Sequence, residues 1–141
     1  MNYKIIGLII ISLMSVVLIS GCIDNKPAET TQTVEVQGYR FEIPSNYTLD
    51  NNMADANIVT SQYRNNDNVI AITVQKGYSP KSMDITMSPK MKKTTFNGVE
   101  GYFSDEYYPM FQFKHENDII MYTLYYSFDY ETVFNQIKFL G

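Results

Sequence analysis

Side chains able to do covalent or proton-transfer chemistry are scarce in this sequence. Its 141 residues include one cysteine, Cys22, and one histidine, His115. A Ser-His-Asp or Cys-His device would therefore have to use His115. In "FQFKHE" that histidine keeps step with Phe111 and Phe113, which places it at the end of a strand near a sheet rim. A transition-metal site is equally unsupported, because one His and no free thiol leave only carboxylates. Calcium is the one metal to consider. "LDNNMADAN" clusters Asp50, Asn51, Asn52, Asp55 and Asn57, all hard oxygen donors, with Asp50, Asn52 and Asp55 as the candidate cation loop. The stretch departs from an EF-hand loop: its sixth position lacks glycine, and Ser61 stands where the bidentate Glu belongs. A solvated loop is the simpler reading. Asp105-Glu106 adds carboxylates elsewhere, but any acidic domain contains such pairs. No glycine loop for phosphate, zinc-protease helix or nucleophile elbow is present, so no cofactor is expected and the chain does not read as an enzyme.

Cys22 stands in an informative setting. Lys4 and the amino terminus are positive, Ile5 to Ile19 is apolar apart from Gly7, Ser12 and Ser15, and the small residues Ser20 and Gly21 come next. That order is the one expected of a secretory signal. Ile19-Ser20-Gly21-Cys22 also resembles the lipobox of bacterial and archaeal lipoproteins. The resemblance implies that residues 1–21 are a removed lipoprotein signal peptide. It further implies that Cys22 becomes the first mature residue and carries a diacylglyceryl thioether as an anchor in the bilayer. Each buried lipid CH₂ contributes about 0.8 kcal/mol, and two chains hold stably where one does not. The alternative is an uncleaved anchor helix: residues 5–23 are uncharged, and a span needs roughly 20 residues. Both readings place the domain on the outer face of the cytoplasmic membrane, tethered by its amino terminus.

Charge narrows the partners. Losing residues 1–21 removes Lys4 and no acid, leaving 10 basic against 15 acidic residues. An acidic domain argues against nucleic acid and against a polybasic membrane contact. "NYT" at 46–48 fits the glycosylation triplet, but Asn46 reads as an ordinary turn residue.

Aromatic residues are more suggestive: 12 Tyr, 8 Phe and no Trp. "DEYYPMFQF" sets Tyr107, Tyr108 and Met110 around Pro109, in a turn between strands. Such side chains are enriched where proteins meet partners. Tyr107, Tyr108 and Met110 are thus the candidate partner surface, against the plainer reading that they fill the core of a small domain.

The elements that must position these groups follow from periodicity. "IDNKPAETTQT" reads as the end of a flexible tether over 22–33, leaving 34–141 as one domain. "YRFEIP" is a half-buried strand, and Val34 and Val36 suit a short one before Gly38. Residues 57–76 form a hairpin about "NNDN", and Asn97-Gly98 marks a type I′ hairpin. "FQFKHE" and "IIMYTLYYS" follow, joined at Asn117-Asp118, the second apolar on both faces and so central. Helices are expected over "SPKSMDITMS" and "DYETVFNQIKFL"; "DNNMADA" is coil or a short helix. The sum is an α+β domain: one curved antiparallel sheet of about six to eight strands, covered by helices, with the C-terminal helix packed on it.

"YRFEIPSNY", "FNGVEGYF" and "YTLYYSFDYETVFNQIKFL" resemble the PsbP/Mog1-like superfamily, most closely its small prokaryotic lipoproteins. The resemblance implies a curved sheet between helices and an accessory or adaptor role with no shared catalytic residues. The expected function is a non-enzymatic, lipid-anchored module that binds another exported or membrane protein. A small-ligand or Ca²⁺-binding lipoprotein is the alternative, and an exported hydrolase using His115 or a carboxylate pair comes third.

Overall fold

Short turns between alternating strands shape the molecule. A computed structural model describes residues 30–77, 90–126 and 129–141. Strand β1 (Thr31–Val36) turns tightly into β2 (Tyr39–Pro44). The strands β3 (Thr48–Asp55), β4 (Ile58–Asn65) and β5 (Asn68–Gln75) then run back and forth. After residue 90 come β6 (Lys92–Phe96), β7 (Val99–Ser104), β8 (Met110–His115) and β9 (Asp118–Tyr125). A helix, α1 (Tyr130–Gln136), and a short strand, β10 (Lys138–Phe139), close the chain as described. Four of the connections are two residues long and begin on a non-glycine residue with positive φ: Gln37, Ala56, Asn66 and Glu116. Asn97 and Gly98, at φ 47° and 77°, make the fifth, with both residues in the left-handed region that a type I′ turn requires.

Two antiparallel sheets result. The larger runs β3-β4-β5-β9-β8-β7-β6, and the smaller β1-β2-β10. Period two decides what lies between them. Ile70, Ile72 and Val74 of β5, Ile120, Tyr122 and Leu124 of β9, and Phe111 and Phe113 of β8 all point to the small sheet and are buried. Phe41 and Ile43 of β2 meet them from the other side and are fully buried. Aromatic rings carry the joint: Phe41 lies edge-on to Tyr122 at 6.0 Å, and Phe139 of β10 sits 5.3 Å from Phe113. Helix α1 plugs the space beside the small sheet, with Phe134 fully buried 5.1 Å from Phe96 and Tyr130 stacked on Phe103.

The expectation of an α+β fold with helices covering the sheet is overturned. Of the described residues 64% are in strands and 7% in helix, and the cover on the large sheet is chiefly a second sheet. The misreading lies in "DYETVFNQIKFL". Asp129 does cap the helix, accepting from the Thr132 N–H, but the helix stops at Gln136 and Ile137 is extended. Lys138 and Phe139 then pair with Glu42 and Phe41. Tertiary pairing with the open edge of β2 outweighs the helical spacing of Ile137 and Leu140. "DNNMADA" is likewise not a helix: Asp50 to Asp55 belong to strand β3, and Ala56 opens the turn into β4. The helix expected over 79–88 lies outside the described residues, as do the leader and Cys22. Among the described residues no helix is long and apolar enough to cross a membrane.

Candidate functional site

The tyrosines of the partner-surface reading meet at one end of the large sheet. The loop joining β7 to β8 spans residues 105–109. Its Pro109 carbonyl accepts the Leu124 N–H at 2.9 Å, which ties the loop to β9. Glu106 pairs with Lys90 at the loop's base. Tyr108 packs edge-on against Tyr125 at 4.7 Å. Tyr107 is 87% exposed and Tyr126 67%, so both rings stand in solvent. Tyr108 is 48% exposed, and Met110 is half-buried as the first residue of β8. Tyr126 also has φ 65°, a conformation a bulky side chain rarely adopts, and such strain concentrates at functional positions. Tyr107 and Tyr108 contribute nothing to the buried core. The sequence named three of these residues; Tyr125 and Tyr126 join them because β9 ends beside the loop, a proximity no local pattern carries.

The candidate cation residues do not converge. Asp50 sits at the irregularity where the β3–β4 register slips between Leu49 and Asn51. Its Oδ2 accepts from both Nε and Nη2 of Arg64 at 3.0 Å. Asn52 accepts from the Ser61 hydroxyl at 3.3 Å on the sheet face toward the core. Asp55, three residues on, belongs to the opposite face by alternation. Among the described residues no three His, Cys, Asp or Glu side chains are grouped to hold a metal ion. Asn46 is an exposed turn residue between β2 and β3.

A second cluster escaped the sequence reading. Asp118, expected in the turn with Asn117, is the first residue of β9 and is 8% exposed. Its Oδ2 accepts from the Tyr39 hydroxyl at 2.7 Å and from Lys76 Nζ at 2.9 Å, and its Oδ1 from the Gly77 N–H at 2.9 Å. Lys76 Nζ also lies 3.8 Å from the centre of the Tyr39 ring. His115 and Phe139 wall the cluster, the histidine ring 5.5 Å from Tyr39 and 4.8 Å from Phe139. Burial pushes the Asp118 carboxyl up, but Lys76, Tyr39 and the Gly77 N–H outweigh it and hold it at about 2. Lys76 is held above its ordinary value: burial opposes this, and Asp118 and Tyr39 prevail. The Tyr39 hydroxyl is also raised, by its bond to Asp118 and then by burial. At neutral pH the charged pair and the Tyr39 hydroxyl thus tie the small sheet to the large one.

A cleft of about 210 Å³ lies where β2 meets the end of α1. Its charged walls, Glu42 and Lys138, face each other at 3.5 Å. Its Asn97 amide is spent on the carbonyls of Asn135 and Ile137, at 2.7 and 2.6 Å.

No family model matches the sequence, and no curated protein or solved structure is found to match the chain.

Proposed function

We propose that the protein is an extracytoplasmic lipoprotein, anchored through a diacylglyceryl group on Cys22, that acts without catalysis by binding another exported or membrane protein through its tyrosine tip. The observation that carries this reading is Tyr107, 87% exposed next to Tyr108, which is itself 48% exposed and packed on Tyr125 where β9 ends. Large aromatic side chains held in water at one place are the composition of a contact surface, because each buries much area at little conformational cost. The lipobox-like Ile19-Ser20-Gly21-Cys22 supports the anchor, and the accessory role implied by the PsbP/Mog1-like resemblance is of the same kind. The domain's acidity fits a protein partner better than nucleic acid.

A photo-cross-linking amino acid at position 107 of the full chain, in producing cells, tests the proposal. A discrete adduct is expected from position 107 and none from the exposed Lys114 at the far end of β8. Tyr108→Ser with Tyr126→Ser should reduce the adduct several-fold. Fractionation of the same cells checks the anchor: Cys22→Ser should move the protein out of the membrane pellet. No adduct at 107, or the same adducts at both positions, overturns the tip as a contact surface.

A further inference from the structure

The large sheet ends in two very different edges. Strand β6 is five residues long and carries Lys92 and Lys93, the charged side chains that keep an edge from pairing. Strand β3 is eight residues long, has neither lysine nor proline, and every one of its residues is exposed. Among the described residues no strand pairs with its far edge. Alternate residues of β3 therefore aim N–H and C=O groups into solvent. Apolar side chains accompany them: Leu49 is 60% exposed, Met53 48%, and Ile58, at the head of β4, 41%.

We propose that β3 is the edge on which a second copy of this chain pairs, antiparallel, about a two-fold axis at Met53. Residues Asn51 to Asp55 keep an unbroken register with β4, so they present a regular ladder, and the slip at Asp50 falls outside it. An axis at Met53 sets Met53 against itself, Asn52 against Ala54, and Asn51 against Asp55. Each pair shares a sheet face, as direct cross-strand neighbours must. No carboxylate meets a carboxylate: Asp55 faces an amide able to donate to it, and Asp50, engaged by Arg64, stays out of the ladder. The strand is thus complementary to its own copy in both charge and face, and pairing joins two seven-stranded sheets edge to edge. This inference is independent of the tyrosine tip.

Cysteine cross-linking of the full chain in a Cys22→Ser background, solubilised in mild detergent, reads the register. Cβ atoms of directly opposed residues lie about 4.5–5.5 Å apart, close to disulfide reach. Met53→Cys should give a disulfide-linked homodimer on mild oxidation. Asp55→Cys should not, because the two copies of residue 55 stand four positions apart, roughly 13 Å. Independently, Met53→Lys places like charges across the axis. It should weaken self-association at least tenfold in sedimentation equilibrium, with the unfolding temperature unchanged. Equal cross-linking at 53 and 55, a disulfide from 53 to a different protein, or a chain that sediments as a monomer at about 100 µM overturns the proposal.

Discussion

Asp118 serves three donors with two oxygens, and this makes it the residue whose removal should be felt most widely. Asp118→Asn keeps the shape and loses the charge. At pH 7 it should destabilise the fold by about 1–2 kcal/mol, allowing for screening at the part-exposed Lys76. Because the folded carboxyl sits at about 2 against an ordinary 3.8, its contribution is complete above the ordinary value and is lost as pH falls through the folded one. Urea titrations should therefore show wild type and variant converging below about pH 4. At the alkaline end Lys76 and Tyr39 are both raised, so what they add is present below about pH 10 and fades above their raised values. Gly101 is a second sensitive point. A Cβ there would lie 2.5 Å from the Gln112 carbonyl and 2.7 Å from the Phe111 ring, so Gly101→Ala should cost about 1–3 kcal/mol in the same titration. The clamp was legible in part. Tyr39 continues the stripe of Phe41 and Ile43, Lys76 that of Val74, and Asp118 that of Ile120, so extending each alternation by one step puts all three on the inner face. That they meet at one point depends on which strands adjoin, which the stripes do not encode.

At the scale of elements, the hairpin at Asn97-Gly98 does more than turn. The Asn97 amide donates to two carbonyls at the end of α1 and so binds the β6–β7 hairpin to the helix. Asn97→Gly keeps the positive φ and removes the amide; Asn97→Ala removes both. Thermal unfolding should rank them wild type, then Gly, then Ala, with Gly about 1 kcal/mol below wild type from the lost bonds. The two variants separate turn strain from capping. The turn was plain in the sequence because left-handed conformations restrict residue type. The short helix was not: the spacing of Tyr130, Val133, Phe134 and Ile137 is sound for its first two turns, yet Ile137 belongs to an extended segment. Local spacing is blind to a strand edge lying open some hundred residues earlier.

Across the whole molecule, the strand inventory was well marked and the layering was not. Clean alternation marks β2, β5 and β8, and the stretch apolar on both faces supplies β9, Asp118–Tyr125, the central strand of the large sheet. Nothing in β1 or β2 says that they leave that sheet to form another. Their apolar faces suit either arrangement, and only the β10 pairing and the rings of Phe41 and Phe139 decide it.

The pairing of β10 with β2 bears on how the molecule is made. Lys138 and Glu42, which meet across it, are 96 positions apart in the chain. A first hairpin that emerges early leaves the second edge of β2 unpaired until residues 138–139 have been made. Closing so long a loop is slow, and a half-made chain presents a greasy ribbon to its surroundings throughout. The small sheet is therefore completed only once residues 138–139 reach the edge of β2, and that step is the late one in folding.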